Sequence, residues 1–213
     1  MNDADAEKRA AARAAAELVE NGMLVGLGTG STVAQLLPAI AERDLQIRCV
    51  ATSVATEDQA REHGIPVEPF ESIARLDIAI DGADQIAPDG WLVKGGGGAH
   101  VREKIVAAAA DRFVVIADSS KPVDAITAPI PLELLRYGLD ATLRHLGDAD
   151  LRDVPPSPDN GLIADYRGEV GDVRALAARL AATPGVVDHG LFEPELTATI
   201  LVATGDKVAR HDL

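Results

Sequence analysis

Short apolar runs alternate with helix-like segments through the first half of the chain. The apolar runs, which predict strands, cover residues 23–27, 46–51, 76–80 and 113–117. The helix-like segments cover residues 4–20, 32–40, 57–63 and 101–110. Strands separated by helices are typical of βαβ units, so the sequence predicts an α/β fold with a Rossmann-like, mainly parallel sheet and helices on both faces. Ligands of such sheets bind beyond the carboxyl ends of the strands.

The later part of the chain predicts a smaller α+β domain inserted near the C-terminus. Its pattern gives a helix over 134–146, a breaker cluster over 155–161, a strand over 162–166 and a helix over 172–182. Residues 197–204 then alternate and run apolar, which predicts a final strand that returns to the first sheet. We therefore expect a Rossmann-like catalytic domain made of residues 1–128 and 194–213, and a small domain over 129–193.

Acidic residues outnumber basic ones. Asp and Glu number 34 against 20 Lys and Arg, which gives a formal charge of −14. Such a chain lacks the cations that displace phosphate counterions, so we expect no nucleic-acid partner and no anionic membrane partner. The N-terminal residues have the wrong charge for a signal peptide and no apolar run is long enough to span a bilayer. These features predict a soluble, cytoplasmic protein.

Lysine and cysteine are both rare. The acidic balance with only five lysines fits a halophilic, high-salt cytoplasm, and it equally fits a GC-rich genome that replaces Lys by Arg. The single cysteine, Cys49, excludes an internal disulfide and any multi-cysteine metal site. Because Cys49 lies in a strand pattern without a paired His, we interpret it as a buried core thiol.

The first chemical motif is a glycine-rich loop between a strand and a helix, over residues 26–32. Its glycines let backbone N–H groups approach an anion, the helix N-terminus adds partial positive charge, and Thr29, Ser31 and Thr32 add hydroxyls. A phosphate group is the predicted ligand, and a plain strand–helix turn is the alternative. The glycine spacing differs from the dinucleotide fingerprint, and the Gly-Lys-Ser/Thr of a Walker A loop is missing.

Two more motifs carry carboxylates and a lysine. Asp81-Gly82-Ala83-Asp84 follows a predicted strand, where a carboxylate can bind sugar hydroxyls or act as an acid or base, or else simply cap a turn. Residues 94–104 contain Lys94, four consecutive glycines, His100 and Glu103. Because four glycines cost conformational entropy, they indicate flexibility or close backbone approach. Glu103 is a candidate general base, and a helix-surface ion pair is the alternative.

A fourth motif, Ala117-Asp118-Ser119-Ser120-Lys121, follows another predicted strand and ends in a rare lysine. We expect the four loops, each following a strand, to meet at one rim and to bind an anionic ligand. His100 and Glu103 are three residues apart, as some metal ligands are, but no second such pair exists, so we predict no metal site.

Together these stretches resemble ribose-5-phosphate isomerase, type A, over nearly the whole chain. The glycine-threonine-glycine-serine-threonine loop, the DGAD motif and the KGGGGAHxREK segment stand at residues 28–32, 81–84 and 94–104. The segment at 117–121, the Thr52-Ser53 pair with Thr56, and the late run at 184–192 are also similar to the family.

The resemblance implies reversible interconversion of D-ribose 5-phosphate and D-ribulose 5-phosphate, in the non-oxidative pentose phosphate pathway, without metal or cofactor. It implies that Glu103 is the base, that Asp81 assists ring opening, that Asp84 orients the sugar and that Lys94 stabilises the enediolate. It also places Lys8 near the phosphate. The substrate-binding residues that it implies are Thr29, Gly30, Ser31, Thr32, Asp81, Gly82, Ala83, Asp84, Lys94, Gly95, Gly96, Gly97 and Lys121.

Two other functions stay open at this point. A non-catalytic sugar-phosphate sensor would keep the phosphate loop without needing Glu103, and it would normally carry a DNA-binding extension, for which no segment precedes residue 20. An isomerase or deaminase of another phosphosugar is the second alternative. The family resemblance also implies a homodimer or homotetramer.

Overall fold

The computed structural model describes residues 3–213, which form two compact units. Unit 1 comprises the described residues up to Ala83, together with Arg102–Lys121 and Glu195–Leu213. Unit 2 comprises Asp84–Val101 and Pro122–Pro194. Residues 84–101, 122–128 and 194, which the sequence predicts to belong to the first domain, are part of unit 2.

Unit 1 is built on a six-stranded sheet with the order β13-β12-β6-β3-β1-β2. All neighbouring strands are parallel except β12 and β13, which form an antiparallel pair at one edge. The predicted return of the C-terminal strand is confirmed, because β12 pairs with β6. The strands are β1 (Leu24–Leu27), β2 (Arg48–Ala51), β3 (Ile78–Asp81), β6 (Phe113–Asp118), β12 (Thr199–Thr204) and β13 (Lys207–Asp212).

Helices cover both faces of this sheet, which confirms the predicted fold class. Side chains alternate along β1, so Val25 and Leu27 lie in an apolar core with residues of the first three helices. Gly26 faces the other way, and a Cβ there would lie 2.5 Å from Val106 of the fourth helix. The helices are α1 (Asp3–Ala16), α2 (Val33–Ala41), α3 (Val54–Glu62) and α4 (His100–Ala109).

Cys49 lies in β2, at the edge of the sheet, and is fully buried. The prediction of a buried core thiol is thus confirmed. Burial disfavours the thiolate and raises the pKa of Cys49 to about 12. The thiol is therefore inert near neutral pH.

Unit 2 contains two small antiparallel sheets and two helices. The four-stranded sheet has the order β10-β7-β9-β8, and the three-stranded sheet has the order β11-β5-β4. One face of the larger sheet, with Leu132, Ala164 and Tyr166, packs in an apolar core with Leu176 and Leu180. The elements are β4 (Gln85–Ile86), β5 (Leu92–Val93), β7 (Ile130–Leu134), α5 (Leu139–Leu146), β8 (Ala149–Leu151), β9 (Leu162–Tyr166), α6 (Val173–Ala181), β10 (Val186–His189) and β11 (Leu191–Phe192), followed by a 3-10 turn (Pro194–Leu196).

The predicted helix over 134–146 is wrong in its first part. Leu134 is the last residue of β7, and α5 begins only at Leu139. Gly138, with φ of +71°, adopts a left-handed backbone conformation that interrupts a helix. Among residues 3–213, no helix is both long and apolar enough to cross a membrane.

Candidate active site

A cluster of hydroxyl groups holds the first glycine loop in unit 1. The Thr29 hydroxyl donates to Ser53 Oγ at 2.9 Å and lies 2.7 Å from Thr52 Oγ1. The Thr56 hydroxyl donates to the Gly28 carbonyl oxygen at 2.9 Å. Neutral side chains that follow β2 thus fix the loop that follows β1, and the parallel pairing of these two strands brings them together.

Asp81, the last residue of β3, is buried and fixes the same loop from the other side. Its Oδ1 accepts hydrogen bonds from Thr29 N–H at 3.1 Å and from Gly82 N–H at 2.7 Å. A Cβ on Gly28 would lie 1.9 Å from Asp81 Cγ, so only glycine fits there. Of the residues predicted to bind substrate, Thr29 and Asp81 are therefore in direct contact.

The rest of the first loop leads into α2. Gly30 and Ser31 are exposed, whereas Thr32 is buried. Within the described chain, the Thr32 side chain makes no capping hydrogen bond at the start of α2. In this first turn, Ala34 N–H and Gln35 N–H donate to the carbonyl oxygens of Gly30 and Thr32 at 3.0 and 3.1 Å. The partial positive charge of a helix N-terminus still favours an anion at this position.

Glu103 lies in the first turn of α4 and is 5% exposed. A carboxylate so buried has little water around it, which is the environment that catalytic bases commonly have. The predicted position of Glu103 at the start of a helix is confirmed, while its role stays a prediction.

The segment after β6 is held by a carboxylate that the sequence analysis did not single out. Glu7 of α1 is buried, and its Oε2 accepts from the backbone N–H and the hydroxyl of Ser119 at 3.0 and 2.7 Å. Its Oε1 accepts from Gly205 N–H at 2.9 Å. These hydrogen bonds, first those from Gly205 and Ser119 N–H, lower the pKa of Glu7. Lys121, two residues beyond Ser119, is half-buried.

The second glycine loop, in unit 2, forms a tight turn at Gly95–Gly98. Gly98 N–H donates to the Gly95 carbonyl oxygen at 3.0 Å, and Gly96 N–H donates to Asp84 Oδ2 at 2.8 Å. Gly95 has φ of +103°, and a Cβ there would lie 2.7 Å from Nδ1 of the buried His100. The turn therefore requires glycine for both its backbone conformation and its packing.

Arg152 also holds this turn, and no motif indicated it. Its Nη1 donates to the carbonyl oxygens of Gly95 and Gly96 at 2.9 and 3.0 Å. Its Nη2 donates to Asp165 Oδ1 at 2.6 Å. Arg152 lies just after β8, so a contact across 57 sequence positions was not accessible to motif analysis.

Lys94, immediately before the turn, is 3% exposed. Its backbone N–H donates to Gly190 O at 2.8 Å, and its Nζ lies 5.5 Å from the ring centroid of Phe192. A cation over an aromatic face is attracted by the ring.

The expectation that all four loops follow strands of one sheet is wrong. Three of them follow β1, β3 and β6 of the six-stranded sheet, but Lys94 follows β5 of the antiparallel three-stranded sheet. In unit 1 the structure places the loop at 28–32, Asp81 and the segment at 118–121 at the carboxyl edge of adjacent strands. In unit 2 it brings Asp84 and Gly96 into contact. Within residues 3–213, no three His, Cys, Asp or Glu side chains are grouped so as to hold a metal ion.

Known proteins match this chain over almost its full length. The family model described as ribose 5-phosphate isomerase A (phosphoriboisomerase A) matches residues 48–207. A ribose-5-phosphate isomerase A from Caulobacter vibrioides is 47% identical over 223 residues, which cover 97% of this chain and 98% of the relative. A second, shorter match, to the DeoR C terminal sensor domain, covers residues 3–67.

Solved structures also match this chain over nearly its full length. The ribose 5-phosphate isomerase A of Neisseria gonorrhoeae has a TM-score of 0.93 and 30% identity, over 98% of this chain and 96% of that one. A D-ribose-5-phosphate isomerase in complex with phospho-erythronic acid has a TM-score of 0.92 and 30% identity over 100% of both chains. Similarity of sequence and fold over this length shows that the protein is an enzyme of the isomerase class. The chain belongs to the ribose 5-phosphate isomerase A family.

Proposed function

We propose that the protein interconverts D-ribose 5-phosphate and D-ribulose 5-phosphate, as part of non-oxidative pentose phosphate metabolism, without metal or cofactor. The observation that carries this proposal is Glu103, a carboxylate 5% exposed on the first turn of α4, in a segment that matches the family motif. The names of the relatives, which are ribose-5-phosphate isomerases, support ribose 5-phosphate as the substrate.

In the proposed reaction, Glu103 removes the proton from C2 of the open-chain aldose. The electron pair forms the C1=C2 double bond, and the carbonyl oxygen on C1 becomes the negatively charged enediolate oxygen. This oxygen then takes up a proton to give the enediol. The proton held by Glu103 then returns to C1, while the hydroxyl on C2 loses its proton and becomes the ketone. A general base placed in this way contributes typically about 10²- to 10⁴-fold to the rate.

The remaining predicted residues are assigned roles around this transfer. Asp81 handles hydroxyl protons during ring opening, Asp84 orients the sugar, and Lys94 stabilises negative charge on the enediolate oxygen. The loop at 28–32 is proposed to hold the phosphate with Lys121, because the positive end of a helix dipole favours an anion and Gly30 and Ser31 are exposed beside it. Binding energy from the distant phosphate then positions the reacting carbons.

A sugar-phosphate sensor is the second candidate, since a sensor-domain model matches residues 3–67. That match includes the glycine loop but ends before Asp81 and Glu103. A sensor would bind the sugar phosphate without converting it into its isomer.

The decisive experiment is a coupled isomerase assay, with EDTA present, on the wild type and on Glu103→Gln. We expect the wild type to turn over and Glu103→Gln to lose about 10³-fold or more in kcat, because the amide cannot accept the proton. Calorimetry should show that the variant still binds phospho-erythronic acid. The matched control is Glu62→Gln, at the exposed end of α3, which should keep wild-type kcat.

Two results would contradict the proposal. Wild-type turnover by Glu103→Gln would remove the base from the mechanism. Saturable binding of ribose 5-phosphate by the wild type, without any ribulose 5-phosphate formed, would favour the sensor.

A further inference from the structure

Arg152 and Asp165 form an ion pair that reaches the second glycine turn. Arg152 Nη2 donates to Asp165 Oδ1 at 2.6 Å, and Arg152 Nη1 donates to the carbonyl oxygens of Gly95 and Gly96. The side chains are only 18% and 8% exposed, respectively. Removing one partner of a pair this shielded from solvent is destabilising, because the remaining buried charge loses most of its compensation.

Backbone hydrogen bonds between β8 and β9 determine the positions of Arg152 and Asp165. Arg152 N–H donates to Ile163 O at 2.9 Å, which continues the antiparallel pairing of β8 with β9. Because alternate residues of a strand share a face, Ile163 and Asp165 lie on the same face of β9. A Cβ on Gly98 would lie 3.3 Å from Ile163 Cγ1, so the glycine turn packs on this face.

The turn needs this support because glycine has the largest conformational freedom of any residue. Gly96 is held at its N–H by Asp84 Oδ2 and at its carbonyl by Arg152. Gly95 O accepts from both Gly98 N–H and Arg152 Nη1. The planar guanidinium makes these contacts and the one to Asp165 at once, which a lysine ammonium on its flexible stem does not reproduce.

We propose that Arg152 is a positioning residue of the isomerase, oriented by Asp165, and that it holds the Gly95–Gly97 backbone in the conformation that binds the sugar phosphate. This inference rests on the proposed function, in which Gly95, Gly96 and Gly97 line the substrate. Arg152 itself acts through the turn and takes no part in proton transfer.

The chain offers a matched control in Arg167. This arginine also pairs with Asp165, at 3.4 Å, and with Asp150, at 3.3 Å, and its side chain is 55% exposed. Its ion pairs within the described chain involve these two carboxylates rather than the glycine turn. Arg167→Gln therefore perturbs the charge of the same pair without withdrawing a donor from Gly95 or Gly96.

The test compares Arg152→Ala, Arg152→Lys and Arg167→Gln with the wild type as full-length proteins. Calorimetric titration with phospho-erythronic acid gives the affinity and the number of competent sites, and kcat is normalised to that number. Thermal melts report stability separately. We expect Arg152→Ala to lose about 100-fold in kcat/KM, since a displacement of about 1 Å near reacting groups costs that much. A fall in kcat should account for part of the loss.

We further expect kcat/KM of Arg152→Lys to fall by at least about 10-fold, which is half of the Arg152→Ala loss on a logarithmic scale. The kcat/KM of Arg167→Gln should stay within about 3-fold of the wild type. Millimolar guanidinium should partly restore kcat in Arg152→Ala and leave the wild type unchanged. A merely structural role would lower the melting temperature without changing normalised kcat/KM and without rescue, and that result would overturn the inference.

Two further outcomes are also decisive. If Arg152→Ala does not fold, Arg152→Lys with wild-type kcat/KM overturns the inference, and a reduced kcat/KM supports it. If the wild type itself does not isomerise the sugar, the proposed function fails and calorimetry decides the inference alone. Weaker binding of phospho-erythronic acid by Arg152→Ala than by Arg167→Gln would then support it, and equal binding would refute it.

Discussion

The two glycine loops of this chain are held in different ways. The loop at Gly28–Thr32 in unit 1 is fixed by threonine and serine hydroxyls and by Asp81, all of which follow strands beside β1 in a parallel sheet. The turn at Gly95–Gly98 in unit 2 is fixed by Asp84 and by Arg152, which comes from an antiparallel sheet formed much later in the chain.

This difference shows which contacts hold each loop in a single conformation. The carboxyl ends of neighbouring parallel strands meet whatever the loops contain, so the fold itself brings the partners of Thr29 together. The second turn depends on Asp84 and on a single guanidinium that contacts two consecutive carbonyl groups. Unit 1 therefore distributes the task over several hydroxyl groups and the Asp81 carboxylate, whereas unit 2 relies on Asp84 and one guanidinium.

The largest effect should come from Gly28→Ala. The new methyl group would overlap Asp81, whose position is fixed by its own hydrogen bonds, so overpacking should destabilise unit 1 by about 3 kcal/mol or more. Gly97→Ala is the counterpart in the other loop, because a Cβ at Gly97 would meet nothing within 4 Å. The free energy of unfolding of this variant should stay within about 0.5 kcal/mol of the wild type. Urea unfolding measures both. Equal losses would mean that the two loops do not differ in packing.

Thr56→Val sharpens the comparison by removing one hydroxyl of the unit 1 cluster. Thr56 is 4% exposed, and its loss leaves the Gly28 carbonyl without this donor, which should cost about 1–3 kcal/mol. The same substitution at the exposed Thr204 should change stability by less than about 0.5 kcal/mol. If both variants unfold at the same urea concentration, the hydroxyl cluster does not stabilise the loop.

Glu7→Gln gives a smaller effect and asks whether the charge of a second carboxylate, besides Asp81, anchors unit 1. The native pKa of Glu7 lies below its ordinary value of 4.5, so the ionised carboxylate contributes stability above that pH. This contribution is lost as the pH falls through the lowered native pKa. Urea midpoints of the two proteins should therefore differ near neutral pH and converge in acid.

Ser119→Ala tests the same anchor from the donor side. It removes the hydroxyl donor but keeps the backbone N–H donors of Ser119 and Gly205, so it should show part of the Glu7→Gln effect. A difference between wild type and Glu7→Gln that stays constant down to about pH 3 would show that the carboxylate charge is not what stabilises this contact.

Much of unit 1 could be predicted from the sequence. Its strands are short apolar runs bounded by glycine or polar residues, and its motifs are contiguous, so local pattern and chain order determine where Asp81 and Thr29 lie. The start of α4, and hence the position of Glu103, was also accessible because helix-like spacing resumes after the glycines.

The strands and long-range contacts of unit 2 were harder to predict from the sequence, for physical reasons. Strands of two or three residues such as β5 and β8 are too short to show a period. The last residue of β7, Leu134, was assigned to a predicted helix because an apolar residue at that position fits either element. Arg152 and Glu7 were missed because their contacts join residues far apart in sequence. Such contacts depend on the register of paired strands and on helix packing, which a single sequence does not display.

The burial of Cys49 has a practical consequence. Because it is the only thiol and it lies in the edge strand β2, beside the segment that contributes Pro66 and Glu68, a thiol reagent can reach it only when that edge separates. The rate of Cys49 alkylation would thus measure the rate of local opening of the sheet without any engineered label. Substrate analogues could be ranked by how much they lower this rate.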